Sequence, residues 1–232
     1  MLKADFHMHT SEDTKDNVSY SAKQLIDKAA LLGFEVISIT NHNLVTYSKT
    51  LSDYADSKGI LLIPGIELDV EGHKHVLIIN PEINKLEKVK TVDDLRRLRR
   101  RETVIIAPHP FYPRKTCLGK RLIENISLFD GVEYSRFYNH FINPNRKAVR
   151  IAKKHKLPLV GTSDAHSFWQ LNTTYSMVDS EKTVQGVIKA LKQGKVKVVT
   201  RPLPLPKFLM RVLWFFYFEL RCAFSSKKMK SL

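Results

Sequence analysis

A chain of 232 residues, 43% apolar and 26% charged, has room for one sizeable core and is too short for two full domains. Its two cysteines, Cys117 and Cys222, lie far apart, which argues against a disulfide framework or a thiolate zinc site. The formal charge is +15; residues 201–232 hold seven Lys/Arg against one acid, so they carry +6 and leave +9 on the remainder. Excess positive charge in both parts favours polyanionic partners: nucleic acid, nucleotides, phosphorylated small molecules or anionic lipid. The opening Met1-Leu2-Lys3-Ala4-Asp5-Phe6-His7 lacks the apolar run of a signal peptide, so a cytoplasmic protein is expected.

Short apolar runs alternate with helical patterns along the chain. Strands are predicted at 2–6, 36–40, 60–64, 75–79, 104–107, 132–134, 157–161, 175–178 and 196–200. Most are rich in Val, Ile and Leu, as suits strands buried on both faces of a mostly parallel sheet. Ser21-Ala22-Lys23-Gln24 is a capping box, and Gly33 is placed to end the helix it opens. Further helices are predicted over 45–57, from Thr91 to about Arg101, from Asn143-Pro144 to Lys156, and over 180–193. The alternation predicts a β/α barrel or an open α/β sheet. A boundary falls at Arg201, where Pro202, Pro204 and Pro206 exclude a helix or central strand and divide a 1–200 body from a 201–232 tail.

Histidines and carboxylates gather at the ends of the predicted strands. Asp5, His7 and His9 alternate at the end of the first and project to one side. Asn41-His42 ends the second, Gly65-Ile66-Glu67 the third, Pro108-His109 another, and Asp164-Ala165-His166 one more. His75 stands at the beginning of its strand. The C-terminal ends of parallel strands are where barrels and open sheets place their sites. Imidazole and carboxylate together suit Zn²⁺, Mn²⁺ or Fe²⁺.

The motifs Asp5-x-His7-x-His9-Thr10, Ile39-Thr40-Asn41-His42, Pro64-Gly65-Ile66-Glu67, His75-Val76-Leu77, Ala107-Pro108-His109-Pro110 and Gly161-Thr162-Ser163-Asp164-Ala165-His166 resemble, in order, those of the PHP (polymerase and histidinol phosphatase) family. The resemblance runs from Leu2 to about Thr200. It implies a distorted seven-stranded β/α barrel, here followed by a short C-terminal helical appendage, and a centre of two or three divalent ions (Mn, Zn or Fe). By position it assigns His7, His9, His42, Glu67, His75, His109, Asp164 and His166 as ligands, with Glu67 bridging two metals. Two departures stand out. Asn41 occupies the place of a usual Asp, and the segment after His9 offers Glu12, Asp13 and Asp16 where the family supplies one more ligand; Asp13 is favoured.

The expected activity is hydrolysis of a phosphoester, on a phosphorylated metabolite, a nucleotide or a short oligonucleotide. A nuclease acting on longer nucleic acid and a non-catalytic PHP-like scaffold are the alternatives. Arg136, just past its strand, is the first choice to hold a phosphoryl oxygen, with Arg114 and Lys115 next. Asp164 or His166 is the candidate proton donor to the leaving oxygen. Phe111, Tyr112, Phe137, Tyr138, Phe141, Phe168 and Trp169 lie near these residues and are candidates to stack on a base. The aromatic run from Phe208 to Phe224 is too short and too interrupted by Arg211, Glu219 and Arg221 to span a bilayer, and is a candidate membrane-surface anchor, oligomer contact or folded-back helix.

Overall fold

The computed structural model describes residues 1–210. Ten strands form two mixed five-stranded sheets. The first sheet runs β10-β9-β1-β2-β3, from β1 (Leu2–Asp5), β2 (Val36–Ile37), β3 (Leu61–Leu62), β9 (Thr174–Val178) and β10 (Val196–Thr200). The second runs β4-β5-β6-β7-β8, from β4 (Gly65–Val70), β5 (Lys74–Ile79), β6 (Val104–Ala107), β7 (Gly131–Ser135) and β8 (Leu159–Thr162). In the first sheet β1, β2 and β3 are parallel and β9 is antiparallel to β1 and to β10. In the second, β5 is antiparallel to both β4 and β6, while β6, β7 and β8 are parallel.

The seven-stranded barrel implied by the resemblance is therefore not what the chain builds. Pro64, with no N–H for a ladder, ends the third predicted strand, and β4 turns away to form an antiparallel hairpin with β5. At the other junction β8 meets β9 without a ladder. Ser176 Oγ donates to Gly161 O at 2.9 Å, and Gly161 packs on the backbone of Tyr175.

Three apolar clusters hold the sheets. The inner faces meet over Ala4, Phe6, Val36, Leu77, Ile106 and Val160. Helix α6 (Val184–Lys192) closes this core through Val187, Ile188 and Leu191, at the end opposite the C-termini of the parallel strands. Helices α1 (Ala22–Leu31) and α2 (Lys49–Ser57) cover the outer face of the first sheet. Short helices α3 (Ile83–Leu86) and α4 (Lys120–Glu124), a 3₁₀ turn over Asp93–Leu98, and α5 (Asn145–His155) cover the second. The Ser21–Gln24 capping box forms as expected. The second helix starts later than expected, because Ser48 caps it through Leu51 N. The arginine-rich segment winds as 3₁₀ rather than α-helix.

The chain divides into two compact units, Met1–Arg136 with Pro144–Arg201, and Phe137–Asn143 with the segment from Pro202. Within the second, Leu203 N donates to Tyr138 O at 2.8 Å and Phe137 stacks on Phe208 at 4.9 Å. Among the described residues, 203–208 thus pack with 137–143. Most of the aromatic tail, with the anchor expected there, lies outside the described residues. No helix among the described residues is long and apolar enough to cross a membrane.

Gly161 sits where β8 packs against β9 and β10. A Cβ there would lie 2.5 Å from Tyr175 O and 2.9 Å from Val198 Cγ1. Gly161→Ala is expected to destabilise by about 1–3 kcal/mol through overpacking. Urea denaturation that shows no loss would mean the junction is looser than described.

Candidate metal centre

Two isolated bridges stitch the sheets at their functional end. Met8 pairs with Ala165, and His42 with Glu67. His9 N donates to Ala165 O at 3.0 Å, and Asn43 N to Glu67 O at 2.9 Å. These bonds set His7 and His9 beside Asp164 and His166, and His42 beside Glu67. The hairpin supplies the rest. Asp69 is the cross-strand partner of His75, which leaves Glu67 diagonal to His75 on the same face. Because β5 runs antiparallel to β6, its beginning lies at the end where β6 finishes and His109 follows. That is why a histidine at the start of a strand reaches the same centre as those at strand ends.

Glu67 lies in the middle and is 1% exposed. Its Oε2 faces His42 Nε2 at 3.1 Å, His7 Nε2 at 3.3 Å and His9 Nε2 at 3.4 Å. Its Oε1 faces His75 Nδ1 at 2.8 Å and His109 Nε2 at 3.2 Å. The five rings form a closed circuit, with centroids 4.7 Å (His9–His42), 4.9 Å (His42–His75), 5.6 Å (His75–His109), 5.8 Å (His109–His7) and 5.2 Å (His7–His9) apart. His166 stacks on His9 from outside the circuit at 4.4 Å. Asp164 Oδ1 lies 3.4 Å from His7 Nε2 and 3.5 Å from His9 Nε2.

All nine residues expected around the metals are thus brought together. Asp13 meets the imidazoles on their far side. Its Oδ2 lies 2.9 Å from both His9 Nδ1 and His42 Nδ1, and it accepts from His42 N at 2.8 Å. Asp16, which the sequence reading passed over for Asp13, lies 2.8 Å from His166 Nε2 and 3.3 Å from His42 Nδ1. Arg136 is buried beside the cluster, donating to Asp164 O at 3.4 Å and lying 5.6 Å from the Trp169 ring. Asp5 turns away from the group: its Oδ1 accepts from His7 N at 3.2 Å and Ser163 N at 3.1 Å, tying the ends of β1 and β8 together.

Sequence reasoning missed Glu133. This fully buried carboxylate in β7 accepts from Thr162 Oγ1 and His109 N, and its Oε1 lies 2.8 Å from His7 Nδ1. The signal was available, since a lone acid within an apolar strand needs a buried partner. Cys117 was likewise unassigned; its Sγ is 3.4 Å from His109 Nδ1. His109 and Asp164 carry positive φ, 30° and 46°, backbone strain of about 1–3 kcal/mol that a closely constrained site sustains.

A sequence model of the PHP-associated family matches residues 143–196. The fold is shared with PsfC from Pseudomonas syringae PB-5123, at a TM-score of 0.61 and 18% identity over 93% of this chain and 97% of that one. It is shared also with a putative metal-dependent phosphoesterase from Bifidobacterium adolescentis (TM-score 0.53, 14% identity, 71% of this chain and 87% of that one). Endonuclease Q, in complex with a duplex substrate bearing an abasic lesion, gives a TM-score of 0.59 at 16% identity, over 87% of this chain and 60% of that one. The resemblance to the PHP proteins holds. At these identities the structures speak for the fold and no further.

The electrostatics of the cluster suit a site that holds cations. Burial on its own would raise the Glu67 carboxyl, yet His75 and His7 hold it well below the usual range. Asp164 is likewise held low against burial by His7, His9 and His166. Burial would lower the imidazoles, but Glu67, Asp164 and Glu133 hold His7 well above its ordinary value, and Asp13, Asp164 and Glu67 do the same for His9. Asp5 is the contrast: burial pushes it up to about 7 despite the bonds from Ser163 and His7. Among the described residues, four side chains (His9, Asp13, Asp16 and His42) and four overlapping triads, among them His7-His9-Glu67, His42-Glu67-His75 and His7-His109-Asp164, each place ligand atoms within 4.8 Å of one another.

The decisive fit is at the nitrogens. His7 Nε2, His9 Nε2 and His75 Nδ1 are buried without a hydrogen-bond partner, because their approaches to Glu67 lack bonding geometry. An orphaned buried nitrogen is costly unless it meets a cation. Chelator-treated protein is therefore expected to gain about 2.7 kcal/mol of stability at a free ion concentration 100-fold above Kd. Thermal melts in Mn²⁺, Zn²⁺ and Fe²⁺ test this, and melting temperatures indifferent to all three would remove metal from the account.

Proposed function

We propose that the chain is a metal-dependent phosphoesterase in which His7, His9, His42, Glu67, His75, His109, Asp164 and His166 hold two or three divalent ions. The observation that carries this reading is the set of unpartnered imidazole nitrogens aimed at the two oxygens of one buried carboxylate. Each Glu67 oxygen has its own imidazoles, which suits a carboxylate shared between two cations. Close-set ions in such a site supply a hydroxide nucleophile at neutral pH and neutralise phosphoryl charge.

The residues around them have separable roles. Glu133 and Asp13 take the Nδ1 side of His7, His9 and His42, which leaves Nε2 as the free donor atom of each ring. Asp13 is therefore proposed as a positioning residue in place of a direct ligand. Arg136, held beside Asp164 and against Trp169, would take a phosphoryl oxygen as charge builds there. His166 Nδ1 faces Asp164 O at 3.0 Å and its Nε2 faces Asp16 at 2.8 Å, so Nε2 can either hold an ion or carry a proton toward the leaving oxygen, not both at once. The fold shared with a putative metal-dependent phosphoesterase and with Endonuclease Q supports hydrolysis at this coarse level. The charge of +15 supports an anionic substrate, either a phosphomonoester or a short phosphodiester.

The reading is tested by turnover of p-nitrophenyl phosphate, bis-p-nitrophenyl phosphate and nucleotides. Activity should rise with Mn²⁺ and vanish with chelator. Metal-loaded protein that releases nothing across a broad monoester and diester panel would favour a scaffold instead. Arg136→Ala should lower kcat/KM by about 10²–10³ with metal content unchanged. Near-wild-type kinetics would return Arg136 to a structural role and move attention to Arg114 and Lys115.

A further inference from the structure

A groove of about 540 Å³ opens next to the metal centre, lined by Lys74, Phe111, Arg114, Cys117, Lys120 and Lys147 among others. It shares a wall with the His109 side of the centre. Pro110, the residue after His109, lines it, and Cys117 in its wall lies 3.4 Å from His109 Nδ1. Its acid, Glu124, is engaged with Arg121 at 3.3 Å, and Arg121 also binds Glu71 at 2.9 Å. These three side chains sum to −1, so the positive field of the groove comes from the other cations, Lys74, Lys120 and Lys147 among them. Lys74 is fixed by Lys115 O and Cys117 O, and it presents a charge rather than a mobile donor. Lys147 Nζ lies 4.6 Å from the centroid of the Phe111 ring, so a cation and an aromatic plane stand together on the wall.

The basic lining continues beyond the groove. Lys147 belongs to α5, and the segment 143–156 holds Arg146, Lys147, Arg150, Lys153, Lys154 and Lys156 with no acid at all. Arg150 and Lys154 follow Lys147 at helical spacing i+3 and i+7, so they share its side of the helix. Together they draw an exposed cationic line of roughly 10 Å leading away from the groove. A single small phosphate needs no such line. A polyanion with regularly spaced charges does, and an aromatic plane beside the cations suits one that carries bases.

We propose that this groove and the exposed side of α5 bind the sugar-phosphate backbone of a single-stranded nucleic acid, directing it toward the His109 side of the metal centre. The proposal deepens the phosphoesterase reading and rests on it for what happens at the metals; binding by the groove stands by itself. A flat lipid surface fits less well, because the lining residues sit in a concavity.

The test is fluorescence anisotropy of a labelled dT₁₂ oligonucleotide with metal-loaded full-length protein over a range of KCl, for wild type and for the triple variant K120Q/K147Q/R150Q. All three residues are exposed and lie outside the catalytic set. The variant should bind at least 10-fold more weakly. The slope of log K against log salt should shrink by about 0.7 for each phosphate that the variant no longer neutralises. Hydrolysis of p-nitrophenyl phosphate should stay at the wild-type level, which also certifies the fold. Equal affinity and slope in both proteins would overturn the proposal, as would wild type that fails to bind dT₁₂ at low salt. Anionic vesicles whose binding falls in the variant while dT₁₂ binding does not would overturn it in favour of a lipid surface. Loss of chromogenic hydrolysis in wild type, with oligonucleotide binding intact, would instead count against the phosphoesterase reading alone.

Discussion

A carboxylate buried as deeply as Glu67 is expensive unless polar partners or opposite charge surround it, and five imidazoles crowd its two oxygens here. The requirement propagates through the molecule. Those imidazoles come from the ends of β1, β2 and β6 and from the start of β5, so both sheets must bring their edges to one place. The bridges Met8–Ala165 and His42–Glu67 do this at the functional end. Opposite them the apolar layer beneath α6 holds the sheets face to face. Gly161 is part of the same constraint, since a side chain there would push β8 away from β9 and β10.

Around the imidazoles lies a second layer that decides which nitrogen each one offers. Glu133 takes Nδ1 of His7, Asp13 takes Nδ1 of His9 and of His42, and Cys117 takes Nδ1 of His109. Such partners set the tautomer and the ring plane, and so the direction in which the free nitrogen points. Asn41 works in the same layer without charge. Its side chain donates to Thr10 and Thr46 hydroxyls and accepts from Thr10 N, which anchors the loop carrying His42 to the one after His9. An amide satisfies all of these bonds, which accounts for the absence of an acid at this position.

Solved structures that share this fold include a putative metal-dependent phosphoesterase and a lesion-specific endonuclease. A fold does not fix a substrate, which is chosen by what surrounds a site. In this chain the surroundings are strongly basic on one side of the centre, through the wall at Lys120 and Lys147 and along α5.

Much was legible in the sequence because it depends on local rules. Strands 104–107 and 196–200 coincide with β6 and β10, and the Ser21 capping box forms. All nine side chains picked from the motif pattern come within reach of one another. What the sequence did not reveal was pairing. Nothing local told that β4 leaves β3 at Pro64 to form a hairpin with β5, so a barrel was expected where two mixed sheets form. His75 looked out of place for the same reason, since only the antiparallel course of β5 carries its first residues to the shared end. Glu133 escaped because its role is set by Thr162, His109 and His7, none of them a sequence neighbour. By itself the sequence determined most of the elements, though not strand β4, and the kinds of side chain that gather at one end; tertiary structure decided which nitrogen faces which oxygen, because that depends on strand direction and on contacts between residues far apart in the chain.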